Sequence, residues 1–137
     1  MTLGMNTTLR SARVTAVLTD LDKNASAGFI EIYSGTRPAT GAAIGAAVLL
    51  ATCTLSKPCG TVTSGVLNFS AISNGTGTAG AGAGTSATWC RFKDGAGVFV
   101  QDGSVGTSGA DINLNSVIIA TGQTVSITSG AVTEGNA

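Results

Sequence analysis

SATWCRFKDGAGVFVQDGSVGTSGADINLNSVIIATGQTVSITS, residues 86–129, decides the fold. Apolar and polar residues alternate there in short runs divided by turn dipeptides, the pattern of successive antiparallel strands that each bury one face. Trp89, Arg91 and Lys93 fall on one side of the first run, Cys90 and Phe92 on the other. Asp94-Gly95 turns that run back into 97–101, a strong hairpin signal. Asp102-Gly103 and residues 106–109 bend the chain again, and Ile112 and Leu114 then alternate with Asn113 and Asn115. Residues 117–120 and 124–128 read as a closing hairpin around Thr121-Gly122-Gln123, and 130–137 as a tail extended along an edge or a neighbour.

Before this stretch lies NGTGTAGAGAG, residues 74–84, which has no large side chain to bury. A phosphate-binding loop would need Lys followed by Ser or Thr after its last glycine, and a dinucleotide fingerprint would need a helix where Thr85 onward reads as strand. The segment therefore reads as a surface loop that reaches a partner. Thr-Ser-Gly recurs from Thr63, Thr107 and Thr128 at unequal spacing, which is turn vocabulary and not a solenoid repeat.

Further toward the N-terminus, residues 66–72 and the region around Val62 pair about a Ser64-Gly65 turn, and 46–55 is a strand. Lys57, Pro58, Cys59 and Gly60 make a turn, and 35–43 is a loop that Pro38 keeps extended at Arg37. Residues 28–34 are a strand whose Ile30 and Ile32 side is the core side, opposite Phe29, Glu31 and Tyr33. Residues 6–24 carry Val14, Val17, Leu18 and Leu21 on one helical face, with Thr7 or Thr8 as cap and Asn24 as a left-handed end. The fold class is therefore mainly β: an antiparallel, jelly-roll-like β-sandwich at 28–133 with one N-terminal α-helix, in a single domain of 137 residues.

Charged residues make up 10% of the chain, against roughly a quarter in ordinary soluble domains. Seven basic and seven acidic residues cancel, and no basic cluster is present to displace counterions from phosphates, which argues against nucleic acid. No run of like charge offers itself to a membrane surface, and the longest apolar run, 42–51, is too short to span a bilayer. MTLGMNTTLRSAR does not read as a signal peptide, so a soluble protein is expected. Neutral, charge-poor chains associate readily, and a subunit covered by neighbours is expected.

The chain has no histidine, which removes Ser-His-Asp and Cys-His nucleophilic sites and most zinc and copper sites. Cys53, Cys59 and Cys90 read as three reduced, buried side chains in preference to a tight Cys53–Cys59 bridge. Asp94 and Asp102 stand where aspartate caps turns. A calcium site from Asp102 and Asp111 lacks the EF-hand ligand spacing. A glycosidase would need paired carboxylates between aromatic platforms, for which Trp89 and Tyr33 are the only large polar aromatics. No enzyme activity, cofactor or metal is expected.

IEIYSGTRPA (30–39), LLATCTL (49–55), RFKDGAG (91–97), SVGTSGADINLNS (104–116) and GQTVSITSG (122–130) occur in the order found in a family of small tailed-bacteriophage virion proteins, which the chain resembles over nearly its whole length. The resemblance implies a non-enzymatic structural component of the particle, such as a capsid decoration or head or tail attachment protein, and supplies no catalytic residue. The expected partners are further copies of the chain, with a trimer as one symmetric form, and the major capsid protein or other virion proteins. Contacts are expected from the helix (Val14, Val17, Leu18, Leu21), the glycine loop (Gly77, Gly80, Gly82), the tail and Trp89. The alternative is a fibre-tip or glycan-binding module with Trp89, Tyr33 and Asp102 at a shallow surface site.

Overall fold

The computed structural model describes residues 4–134. Helix α1 spans Thr7–Asp22. Asn6 caps it from an extended conformation, its side chain accepting the Leu9 N–H at 2.8 Å, so the cap stands one residue before the threonines expected to supply it. At the other end Lys23 remains right-handed and no left-handed Asn24 terminates the helix. The Lys57 ammonium instead donates to the Asp22 and Asn24 carbonyls, satisfying groups that the helix end leaves free.

Strands β1 (Phe29–Tyr33), β2 (Leu49–Thr54), β3 (Gly60–Thr63) and β4 (Val66–Phe69) follow, then two short ones, β5 (Gly75–Thr76) and β6 (Thr85–Ser86). The C-terminal half adds β7 (Trp89–Lys93), β8 (Phe99–Gly106), β9 (Ile112–Leu114), β10 (Ile118–Ile119), β11 (Thr124–Val125) and β12 (Ile127–Thr133). Eight of these form one sheet in the order β2-β1-β7-β8-β9-β12-β4-β3. Ser64 and Gly65, both at positive φ (51° and 79°), make the expected tight turn between β3 and β4.

Two features of this sheet correct the sequence reading. It is mixed and not wholly antiparallel, because β9 enters parallel to β8, Val105 beside Ile112. Asp102-Gly103 does not bend the chain; both residues lie within β8, where Gly103 lets the strand pass close to Cys90 and Phe92. The bend comes later and is clamped by Asp111, whose Oδ2 accepts from the Ser104 N–H (2.8 Å) and hydroxyl (2.7 Å). The expected edge tail is also displaced: β12, through Thr133, runs inside the sheet between β9 and β4. Residues 135–137 of that tail lie outside the described residues.

Phe92 on β7 and Phe69 on β4 are separated by three intervening strands, yet their rings stack at 5.7 Å between centroids. The sheet therefore curls over itself, and α1 packs against β3, β4 and β8. Ile30, Ile32, Leu50, Leu67, Phe92 and Ile112 fill the resulting sandwich-like core, all fully buried. Each such side chain contributes about 1.5–3 kcal/mol by leaving water. The helix closes this core with Val14 and Leu21, also fully buried, flanked by the partly buried Val17 and Leu18. Among the described residues no helix is long and apolar enough to cross a membrane.

The glycine segment is built into the body and does not project from it. β5 pairs with β11 and β6 with β10, so the two limbs expected to form a closing hairpin pair with the glycine segment and not with each other. Their turn survives, with the Gln123 side chain accepting the Ala120 N–H at 2.9 Å. The segment also covers the outer edge of β2, the Ser73 and Thr78 N–H groups donating to the Thr54 and Leu50 carbonyls at 2.9 and 2.8 Å. Close approach explains the glycine at 77: a Cβ there would stand 1.9 Å from the Ala120 carbonyl oxygen.

Candidate functional site

The densest chemistry lies on the outward face of β1, β7 and β8. Strand register places Glu31 beside Arg91 and Arg91 beside Asp102, with Tyr33, Trp89 and Ser104 in the next row. Alternation along each strand puts these residues opposite Ile30, Ile32, Cys90 and Phe92, as the sequence pattern requires.

Arg91 grips Asp102 in a two-pronged ion pair, Nε to Oδ1 at 2.7 Å and Nη2 to Oδ2 at 2.9 Å. Its guanidinium carbon lies 5.5 Å from the Trp89 ring centroid and 4.9 Å from that of Phe99. The bond to Asp102 raises the Arg91 pKa, so the charge is permanent. Tyr33 stacks on Trp89 at 4.6 Å and donates its hydroxyl to Glu31 at 2.7 Å, while Glu31 pairs with Lys93 at 2.8 Å. Burial, and then the bond to Glu31, push the Tyr33 phenol up from its usual value.

This face is covered. The 34–48 connection folds over it: the Ala42 carbonyl accepts from Arg91 Nη1 at 2.9 Å, the Ser34 carbonyl accepts from the Trp89 indole at 3.3 Å, and Gly41 lies against the Phe99 ring. Trp89 is left 2% exposed and Tyr33 5%. Neither offers a platform for a sugar or a contact for a partner, which removes Trp89 from the expected contact residues and Trp89, Tyr33 and Asp102 from the expected shallow site. The signal for this cover was in GTRPATGAAIGAA, whose small residues let backbone lie close to aromatic rings, but that composition equally suits a free loop.

The remaining acids are engaged as well. Asp94 does cap its turn, accepting the Ala96 and Val98 N–H groups at 2.9 Å each, and pairs with Lys23 at 3.0 Å. Burial opposes its ionisation, but the Val98 N–H, the Lys23 ammonium and the Ala96 N–H outweigh it and hold the carboxyl at about 2. Asp102 is no turn cap; it is the strand partner of Arg91. Asp111 borders the same shallow groove as Asp102 and Glu134, but Asp111 is bonded to Ser104, and Glu134 pairs with Arg13 at 2.9 Å. No group of three His, Cys, Asp or Glu suited to a metal occurs among the described residues.

All three cysteines are free thiols and buried. Burial pushes each thiol up, Cys59 to about 12 with help from the neighbouring Asp22 carboxylate. The other expected contact residues divide by exposure. Val14 and Leu21 belong to the chain's own core, because the helix closes the open side of the curled sheet, and so, contrary to expectation, they are not partner contacts. Val17 and Leu18 are partly buried against that core, Gly77 is buried beneath Ala120, and only Gly80 and Gly82 stand on the surface. Comparison of the chain with family models, with curated proteins and with solved structures finds no match.

Proposed function

We propose that the chain is a non-enzymatic structural subunit of a bacteriophage particle, a decoration or cement protein that binds the head lattice as a homo-oligomer. One observation carries the reading. The reactive groups on β1, β7 and β8 are engaged with one another, Arg91 with Asp102, Glu31 with Tyr33 and Lys93, and Trp89 stacked on Tyr33, and the 34–48 connection bonds to Arg91 and Trp89. They act as a fastening between sheet and loop. What remains on the surface is mostly Thr, Ser, Gly, Ala and Asn, suited to packing and hydrogen bonding. The virion assignment draws its support from the motif order 30–39, 49–55, 91–97, 104–116 and 122–130.

Quantitative mass spectrometry of gradient-purified particles, released by the cells that encode the chain, tests the reading. The chain is expected at a fixed ratio to the major capsid protein. Its absence from intact particles overturns the proposal, and its presence only in isolated tails moves it to a fibre.

A further inference from the structure

Helix α1 carries its charges the wrong way round for a helix standing alone. Its first turn has no acidic residue and its last turn no basic one. Arg10 and Arg13 lie toward the positive end of its dipole, and Asp20 and Asp22 at the negative end. Six of its sixteen residues are β-branched, and at that length an isolated helix is marginal in water even when built from good helix formers. Only Val14 and Leu21 are buried. The helical form of this segment therefore depends on what it docks against.

The body of the protein supplies partners at both ends. At the start, Arg13 pairs with Glu134 at 2.9 Å, Arg10 donates to the Glu134 carbonyl at 3.0 and 3.2 Å, and the Ser11 hydroxyl accepts the Gly65 N–H at 3.0 Å. At the end, Asp22 Oδ2 accepts the Cys59 N–H at 2.9 Å, Lys23 pairs with Asp94 at 3.0 Å, and the Lys57 ammonium donates to the Asp22 and Asn24 carbonyls. Lys57 is the only charged residue from 38 to 90, and it is spent on this attachment.

One term opposes docking. Asp22 Oδ1 and Asn24 Nδ2 are buried without a hydrogen-bond partner, which destabilises the docked form. Both belong to the junction between helix and sheet. Residues 23–26 are bends, and at Gly28 the chain is tied to the sheet, its carbonyl accepting the Leu55 N–H at 2.9 Å. Beyond that junction the body has fastenings of its own that do not include the helix. Phe69 stacks on Phe92, and the Arg91, Tyr33 and Trp89 cluster binds the 34–48 connection.

We propose that α1 is a detachable strap: it folds as it docks onto β3, β4 and β8, and it releases about residues 23–27 while the sheet stays folded. Release returns Asp22 and Asn24 to water, melts the helix and uncovers the parts of β3, β4 and β8 that it packs on. The proposal does not rest on the virion reading.

Hydrogen exchange of the full chain, read by mass spectrometry, tests it. The amides of α1 are expected to be protected, and to exchange together at least about tenfold faster than the slowest amides of β1 and β7. Lys57→Met is expected to speed α1 by about a further tenfold and to leave β1 and β7 unchanged, whereas Ile32→Val is expected to speed β1 and β7 alone. In urea, the helical circular dichroism of wild type is expected to fall before the Trp89 fluorescence changes. Exchange of α1 at the rate of β1 and β7, equal acceleration of both by Lys57→Met, or coincident urea transitions would show that the helix opens only with the whole fold and overturn the proposal. An α1 without any protection would overturn it as well, because the strap would then not dock.

Discussion

Arg91 on β7 and Asp102 on β8 meet across the sheet at 2.7 and 2.9 Å, with side chains only 6% and 5% exposed. A pair so deeply placed stabilises little compared with an apolar pair of the same shape, but removing one partner strands the other charge. Arg91→Met is therefore expected to lower unfolding free energy by about 3–5 kcal/mol, and Arg91→Met with Asp102→Leu to recover to within about 1 kcal/mol of wild type. Urea denaturation of the three proteins measures both values. Additive losses would show that the two side chains do not act as a unit.

Gly77 is a steric requirement and Gly82 is not. A methyl at 77 would collide with the Ala120 carbonyl, whereas at 82 it meets nothing within 4 Å and only the positive φ of 59° opposes it. Gly77→Ala should cost about 3 kcal/mol or more and Gly82→Ala about 1 kcal/mol. Thermal melts of the two variants rank them, and a melt for Gly77→Ala above that for Gly82→Ala would refute the tight seating of the glycine segment.

Asp94 links stability to acid. Its carboxyl titrates at about 2 in the folded chain, below the ordinary 3.8, so folding favours the ionised form. That contribution is complete above about pH 4 and is lost as pH falls through 2. Asp94→Asn should be less stable than wild type at neutral pH, and the difference should shrink between pH 4 and 2. Urea midpoints across that range test this; a constant difference would contradict it.

Thiol chemistry should be silent in the native state. Cys53, Cys59 and Cys90 are buried with thiols pushed upward, so iodoacetamide at pH 8 is expected to add no mass until urea is present, and then three adducts. Rapid native labelling of any one of them would show that the segment around it opens.

Local alternation made much of this fold legible. Ile30 against Glu31, Cys90 against Arg91 and the Ser64-Gly65 turn all lie where the period-two pattern puts them, because register within a strand pair is a short-range property. Partner choice is long-range and was not legible. Nothing in GQTVSITSG states that Thr124–Val125 pairs with Gly75–Thr76, or that Ile127–Thr133 lies inside the sheet. Alternation also marks which face of β7 is opposite the core, without telling that GTRPATGAA folds back to bury that face too. For the same reason Trp89 looked available, and the helix residues Val14 and Leu21 could not be divided between self and partner.

The β1–β7–β8 cluster fastens the connection between β1 and β2 to the sheet through Arg91 and Trp89. On the virion role proposed above, the most direct test of that fastening role replaces the ion pair by Arg91→Met with Asp102→Leu and counts copies of the chain per purified particle. Wild-type copy number is expected from a variant that melts like wild type; a variant that melts like wild type yet fails to enter particles would show that the cluster does more than fasten the fold.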